Sequence, residues 1–140
     1  MPVTSDDGLR RLLDLTPIAV IGCSSTPSKA AHRIPKYLQQ HGYRIVPVNP
    51  TTDEILGEPA YDRLADIPVD VGLVNVFRPS PEVSGIVDQV LERADDRGDV
   101  DAVWLQLGIR DDEAAARAED AGVDVVQDKC LKVEHSRLLG

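Results

Sequence analysis

The sequence predicts an alternating α/β fold, in which a doubly wound, parallel, five-stranded sheet lies between two helical layers, three layers in all. Two observations lead to this prediction. Five short, mostly apolar runs, each four to seven residues long, recur along the 140-residue chain. The first of them, 18–21, is continuously apolar, which is typical of a strand buried on both faces. Stretches with helical spacing of apolar residues separate the runs, which is the β-α-β arrangement of a parallel sheet.

The predicted elements follow one another in regular order. Strands are predicted at 18–21, 44–48, 71–77, 102–107 and 123–126. Helices are predicted at about 30–40, 81–94 and 111–121, after a helical lead-in within residues 1–15. Pro35 either lies in the first turn of its helix or kinks that helix, because it has no N–H group. An irregular connection is expected at 51–67, and the tail at 128–140 has only weak periodicity.

The expected strand order locates a candidate site. Right-handed crossovers allow the order 3-2-1-4-5 of a Rossmann-like sheet, counting the predicted strands along the chain. Ligands bind such sheets at the carboxyl ends of the strands, beside the first strand. The candidates are therefore the side chains directly after the strands, namely Gly22, Cys23, Ser24, Ser25, Asn49, Pro50, Phe77, Arg78, Gln106, Leu107, Gly108, Gln127 and Asp128.

Composition argues against several classes of partner. The chain has 24 Asp and Glu against 15 Lys and Arg, and a formal net charge of −9 repels nucleic acids and anionic lipid surfaces. No apolar stretch approaches the roughly 18 residues of a membrane helix. The first eight residues contain two acidic and no basic side chains, unlike a signal peptide. We therefore expect a single cytoplasmic domain, residues 1–140, that binds neither nucleic acid nor membrane.

The sequence predicts no catalytic residue and no metal site. The histidines His32, His41 and His135 are scattered without the spacing of metal ligands. Neither Cys23 with His32 nor Cys130 with His135 has a recognisable third group that would orient a nucleophilic pair.

The loop after the first predicted strand lacks the fingerprint of a dinucleotide site. Of the three glycines in G-x-G-x-x-G, only Gly22 is present. Asn49 stands at the end of the second strand, where a dinucleotide domain has an acidic residue for the ribose. Both observations count against NAD.

The same loop nevertheless contains groups that bind phosphate. Four hydroxyl side chains lie within residues 24–28, and the next helix starts with free N–H groups. Three basic residues, Lys29, His32 and Arg33, fall within five positions of an otherwise acidic chain. The alternative is that the Ser and Pro residues only form a turn and that Lys29 is solvated.

Several short motifs along the chain resemble those of a known protein family. The two most specific are Pro47-Val48-Asn49-Pro50 and Trp104-Leu105-Gln106-Leu107-Gly108-Ile109. The others are Ile18 to Gly22, Tyr37-Leu38, Gly42-Tyr43, Val76-Phe77-Arg78 and Asp128-Lys129-Cys130. Together they cover roughly residues 16–138 and resemble the small, single-domain CoA-binding protein family. That family is similar to the CoA-binding domain of the succinyl-CoA synthetase alpha subunit.

The resemblance implies a coenzyme A site along the strand ends. In that picture the loop from Gly22 to Ser25 and Lys29 would meet the phosphates. Asn49 and Pro50 would shape the adenosine side, and Phe77 and Arg78 would flank the cofactor. Gln106, Leu107 and Gly108 would line the groove near the pantetheine.

Two side chains in this picture have alternative roles. Cys23 stands where the family often has a small apolar residue, and it is either a partner for a mixed disulfide with CoA or a buried spectator thiol. Arg78 either clamps a phosphate with two hydrogen bonds or forms a salt bridge with Glu82 or a loop carboxylate.

The expected function is binding of coenzyme A or an acyl-CoA by a non-catalytic carrier, sensor or regulatory module. Ligase activity is not transferred, because the synthetase family's phosphohistidine lies in a further domain for which 140 residues leave no room. Two alternatives stay open: a small NAD(P)-dependent oxidoreductase, and a subunit that completes an acyl-CoA ligase with a partner enzyme. A homodimer is also compatible with the sequence.

Overall fold

A five-stranded parallel sheet with helices on both faces forms the protein, which confirms the predicted fold class. The computed structural model describes residues 2–140. The strands are β1 (Ile18–Ile21), β2 (Ile45–Val48), β3 (Glu54–Ile55), β4 (Glu58–Pro59), β5 (Leu73–Val76), β6 (Ala102–Leu105) and β7 (Asp124–Val126). The helices are α1 (Asp6–Leu12), α2 (Ala30–Gln40), α3 (Val83–Arg97), α4 (Asp112–Asp120) and α5 (Leu131–Leu138). Among residues 2–140, no helix has both the length and the apolar character needed to cross a membrane.

The sheet is buried on both faces, which explains the mostly apolar sequences of its strands. Alternate residues of a strand point to opposite faces. In β1, Ala19 belongs to the core shared with α3, α4 and the 3₁₀ turn at Leu64–Asp66. Ile18 and Val20 belong to the second core, shared with α1, α2 and α5. The three predicted layers are therefore present.

The predicted strand order is wrong. The strands lie in the order β2-β1-β5-β6-β7, which is 2-1-3-4-5 in the predicted numbering rather than 3-2-1-4-5. As a result β5 lies between β1 and β6, parallel to both. Both orders obey the right-handed crossover rule, so the pattern of apolar runs does not choose between them.

The connection between β2 and β5 decides the order, because it crosses the sheet on the face opposite α2. Leu64 and Ile67 of this connection are buried in the core that contains α3, whereas Ile34 and Leu38 of α2 belong to the other core. A right-handed crossover on the face of the sheet opposite α2 moves the chain along the row of strands in the direction opposite to the step from β1 to β2. The chain therefore returns past β1, and β5 pairs with the side of β1 that faces away from β2.

A buried arginine holds the connection on that face. Arg93 of α3 is only 4% exposed. Its guanidinium donates to the carbonyls of Leu64, Ile67 and Val69 at 2.7, 3.1 and 2.6 Å. It also pairs with the buried carboxylate of Asp99 at 3.0 Å. These contacts tie the connection to α3, an element that follows β5 in the chain.

Two elements of the structure were not predicted. The hairpin of β3 and β4 lies inside the expected irregular connection. Helix α5 forms most of the tail, and its buried residues are Leu131, Glu134 and His135. Because two of these inward positions are polar, the apolar spacing that marks an amphipathic helix is interrupted there.

A cluster of polar and aromatic side chains joins α2 to α5. The hydroxyl of Tyr37 lies 2.8 Å from Nδ1 of His135, and we assign the hydroxyl as donor to a neutral imidazole. The rings of His41 and Tyr43 lie 5.0 and 5.6 Å from the His135 ring, centroid to centroid. Nζ of Lys132 lies 5.2 Å from the Tyr37 ring centroid. Burial first, and then the charge of His41, lower the pKa of His135.

Acidification is expected to destabilise the protein through His135. The folded-state pKa lies below the ordinary value of 6.5, so the unfolded chain binds the proton more readily. The protein therefore has its full stability, as far as His135 affects it, above the unfolded pKa of this residue. It loses stability as the pH falls below that value. Urea denaturation at about pH 7.5 and pH 5.5 measures the effect. The variant His135→Gln, which keeps an acceptor for Tyr37 but does not titrate, should lose less stability over this interval. Equal losses in the two proteins would contradict the assignment.

Candidate functional site

A cavity of about 580 Å³ opens at the carboxyl ends of β1, β2 and β5. Its volume lies within the range of roughly 300–1,000 Å³ that is typical of small-molecule sites. It lies beside β1 and β5, from which the chain continues to next strands on opposite sides. Such a topological switch point is the usual ligand position in open α/β sheets. Eight of the residues predicted as cofactor-binding line it, namely Gly22, Cys23, Ser24, Lys29, Asn49, Pro50, Phe77 and Arg78.

Position 22 requires glycine. Its φ is +84°, in the left-handed region that other residues rarely adopt. A Cβ at this position would lie 2.9 Å from Cδ of Arg78 and 3.4 Å from the carbonyl carbon of Phe77. The loop after β1 thus approaches the loop after β5 so closely that the Arg78 stem packs directly on the Gly22 backbone.

Two hydrogen bonds shape the loop between β1 and α2. The Ser24 N–H donates to the Ala31 carbonyl at 3.0 Å, and Ser24 Oγ accepts from the Thr26 N–H at 3.0 Å. Lys29 is the N-cap residue of α2, and its side chain makes no capping hydrogen bond. Lys29 and Ala31 both line the cavity. The positive end of α2 and an ammonium group therefore meet at one wall, which suits a phosphate.

Asn49 bridges the loops that follow β1 and β2. Its Nδ2 donates to the Cys23 carbonyl at 2.9 Å. Its Oδ1 accepts from the N–H and the hydroxyl of Thr51 at 2.8 and 2.7 Å. These bonds engage both ends of the side-chain amide within the protein. The role of Asn49 in this structure is thus to hold two walls of the cavity together.

Arg78 and Glu82 form an ion pair at the rim of the cavity. Nε and Nη2 of Arg78 donate to Oε1 and Oε2 of Glu82 at 3.1 and 2.8 Å. The hydrogen bond from Arg78 lowers the pKa of the Glu82 carboxyl, and the carboxylate in turn raises the pKa of Arg78. The salt bridge that the sequence left as an alternative is the arrangement found here. A phosphate that binds Arg78 has to compete with Glu82 for the guanidinium.

Cys23 lies at the base of the cavity with a buried thiol. Its side chain belongs to the core shared with α1, α2 and α5. Burial raises the pKa of the thiol to about 12. Because the thiolate is the reactive form, this thiol is protonated and unreactive at neutral pH. The geometry therefore favours the spectator alternative over a mixed disulfide with CoA.

Three predicted residues near the first loop do not line the cavity. Ser25 is exposed. Arg33 donates from Nη1 to the Ser28 carbonyl, so it stabilises the loop itself. His32 is half-buried, and its Nδ1 is a buried atom without a hydrogen-bond partner. A ligand contact by any of these three side chains stays a prediction.

Strand β5 separates Gln106, Leu107 and Gly108 from the cavity. The predicted order set their strand beside β1, whereas the observed order sets it two strands away, about 10 Å at roughly 4.8 Å per strand. Gln106 is buried, and its Oε1 accepts from the Leu131 N–H at 3.3 Å. Leu107 is 67% exposed, and the Gly108 N–H donates to Asp128 Oδ1 at 2.6 Å. A place for these residues along the pantetheine stays a prediction.

The connection between β2 and β5 contributes two charged residues that the sequence did not indicate. Asp62 and Arg63 line the cavity, because the neighbouring Tyr61 pairs with the end of β2. The Tyr61 N–H donates to the Pro47 carbonyl at 3.0 Å, and the Asn49 N–H donates to the Tyr61 carbonyl at 2.9 Å. Charged residues in an irregular connection form no local pattern. The remaining lining residues that were not predicted are Ile21, Ala31, Val48, Thr51, Glu82, Ile86 and Gln89.

Fold and cavity together define an α/β domain with a cavity at the carboxyl ends of the strands of a parallel sheet. The model of the CoA binding domain family matches residues 16–136. The chain therefore belongs to the CoA binding domain family, as its motifs predicted.

Individual proteins and one solved structure are similar to this chain. The uncharacterised protein YneT of Bacillus subtilis is 39% identical over 119 residues, which are 85% of this chain and 84% of YneT. The solved structure of cell-free ID.343 from Thermus thermophilus is 40% identical, with a TM-score of 0.89, and the match covers 97% of this chain and 100% of that one. The ADP-forming acetate–CoA ligase II of Archaeoglobus fulgidus is 30% identical over 128 residues, which are 89% of this chain but 18% of the ligase.

Proposed function

We propose that this protein binds coenzyme A or an acyl-CoA in the cavity at the ends of β1, β2 and β5, as a non-catalytic carrier, sensor or regulatory module. One observation carries the proposal. The positive end of α2 and two cationic side chains, Lys29 and Arg78, line the same cavity. Phosphate groups are the ligands that such a wall binds best. Membership of the CoA binding domain family supports CoA as the source of those phosphates.

The local charge supports an anionic ligand. The whole chain has a formal net charge of −9, which by itself repels an anion. Three cationic residues, Lys29, Arg63 and Arg78, line the cavity together with two acidic residues, Asp62 and Glu82. Arg63 pairs with Asp66 at 3.1 Å and Arg78 pairs with Glu82 at 2.8 Å, so Lys29 is the lining cation that makes no ion pair within residues 2–140 and can attract an anion to the cavity.

The state of the reactive groups supports a non-catalytic role. The thiol of Cys23 is buried and protonated at neutral pH. Glu82 is held ionised by Arg78, which makes it a poor general acid. Neither side chain is prepared for covalent or proton-transfer chemistry in this arrangement.

The similarity to a ligase supports a second candidate role. This chain corresponds to less than a fifth of the Archaeoglobus fulgidus ligase. In this alternative the domain supplies a CoA site to a partner enzyme, and activity appears only after the two are combined. Co-purification with an acyl-CoA ligase chain would favour this role over a free carrier.

Substitutions at the rim test the proposal. Arg78→Gln is expected to weaken CoA binding about tenfold or more, because a hydrogen bond to a charged group contributes about 1.5–3 kcal/mol. Glu82→Gln is expected to strengthen binding, because it removes the carboxylate that competes for Arg78. Isothermal titration calorimetry with CoA measures both changes.

Arg110→Gln is the matched control for the loss of charge. Arg110 pairs with Asp112 at 3.1 Å and does not line the cavity, so its replacement should leave the affinity for CoA nearly unchanged. Equal effects of Arg78→Gln and Arg110→Gln would show that CoA does not bind at this rim.

A further inference from the structure

We propose that Pro35 is a positioning residue for the loop between β1 and α2, which contains Ser24. It removes one N–H donor from the interior of α2 and so leaves the Ala31 carbonyl free to hold Ser24. The part of this inference that concerns CoA rests on the proposed function, whereas the part that concerns the loop does not.

Pro35 lies in the interior of α2. Helix α2 runs from Ala30 to Gln40, and Pro35 is its sixth residue, with a buried side chain. In an α-helix the N–H of residue 35 would donate to the carbonyl of residue 31. Proline has no N–H, and its ring presses against that same carbonyl and tilts it away from the helix axis. Proline is strongly unfavourable in a helix interior, so its presence here calls for a compensating contact.

The Ala31 carbonyl, which Pro35 leaves without a helical donor, forms a hydrogen bond to the loop. The Ala31 carbonyl accepts from the Ser24 N–H at 3.0 Å. Nearby, the Lys29 carbonyl accepts from the N–H groups of His32 and Arg33, both at 3.0 Å. The start of α2 thus has ordinary helical bonding, and the carbonyl opposite Pro35 is the one that turns to the loop.

The hydrogen bond between Ser24 and Ala31 lies at the cavity. Ser24 and Ala31 both line the cavity. Ser24 follows Cys23, whose carbonyl accepts from Asn49 Nδ2 at 2.9 Å. The bond between Ser24 and Ala31 therefore fixes the loop to α2 on one side, while Asn49 fixes it to the β2 end on the other. An N–H restored at position 35 would draw the Ala31 carbonyl back along the helix axis and release the first of these two attachments.

The variant Pro35→Ala tests the inference without ligand. Alanine favours the helix, so the variant is expected to fold. Hydrogen exchange of the Ser24 amide, followed by NMR, is expected to become at least tenfold faster than in the wild type. Lys36→Ala is the matched control, because it changes the next residue of the same helix and leaves the Ala31 carbonyl without a new donor. Equal protection of the Ser24 amide in wild type and Pro35→Ala would overturn the inference.

The affinity for CoA tests whether the bond serves the site. Pro35→Ala is expected to bind CoA several-fold more weakly than the wild type, and Lys36→Ala is expected to bind it with unchanged affinity. A deprotected Ser24 amide with unchanged affinity for CoA would overturn the positioning role. Absence of CoA binding by the wild type itself would contradict the proposed function, and the exchange result on the loop would stand apart from it.

Discussion

Arg93→Ala is expected to lower the free energy of unfolding by about 3–5 kcal/mol, the range for breaking a buried ion pair by removing one partner. The substitution leaves the carboxylate of Asp99, which is only 5% exposed, with no cation among residues 2–140 closer than Nε of Arg97 at 3.8 Å. It also removes the donors for three carbonyls of the β2–β5 connection. Asp99 Oδ2 further accepts from the Val71 N–H at 2.8 Å, so the disturbance reaches the segment that enters β5.

Urea denaturation measures this effect, and Arg110→Ala is its control. Arg110 pairs with Asp112 at 3.1 Å, and its side chain is 59% exposed. An ion pair of this kind contributes about 0–1 kcal/mol, so the control variant should remain close to the wild type. If the two variants lose the same stability, Arg93 does not anchor the connection as described.

Gly22→Ala is expected to weaken CoA binding about tenfold or more and to cost about 1–2 kcal/mol of stability. The stability cost comes from a side chain in the left-handed region, since φ is +84°. The binding cost comes from Arg78, because the new Cβ would lie 2.9 Å from its Cδ and displace the guanidinium. Loss of a charged hydrogen bond to phosphate corresponds to about 1.5–3 kcal/mol. Calorimetric titration with CoA and urea denaturation measure the two effects separately.

Gly42→Ala is the control variant for Gly22→Ala. It introduces the same left-handed backbone strain without the contact between a new Cβ and Arg78. Gly42 has a φ of +89°, and an added Cβ would have no heavy atom within 4 Å. It precedes β2 and therefore lies at the opposite edge of the sheet from the cavity. The control should show a similar loss of stability and an unchanged affinity for CoA. A similar loss of affinity in both variants would mean that general destabilisation, and not the displacement of Arg78, causes the effect.

The positions of the strands could be predicted from the sequence, whereas their order could not. Apolar runs identify buried strands because every residue of such a strand needs an apolar neighbour on one face or the other. The order depends on which face the β2–β5 connection crosses. The contacts that hold the connection on the observed face, between Arg93 and the carbonyls of Leu64, Ile67 and Val69, join residues distant in sequence and leave no periodic signal.

The error in strand order also explains which site residues the structure brings together. The predicted order set the strand before Arg78 two strands from β1, whereas β5 lies beside β1 and Arg78 packs directly on Gly22. Gln106 was expected on the neighbouring strand, and it lies beyond β5, bonded to Leu131. Residues at the ends of β1 and β2 could be predicted because their adjacency did not depend on that choice. Asp62 and Arg63 could not, since only the pairing of Tyr61 with the end of β2 brings them to the cavity.

Calorimetric titration of the wild-type protein with CoA, with ADP and NAD as controls, tests CoA binding most directly. We expect saturable binding of CoA at one site, tighter than the binding of either control. Folded protein that binds CoA no more tightly than ADP or NAD would show that the cavity is not a CoA site.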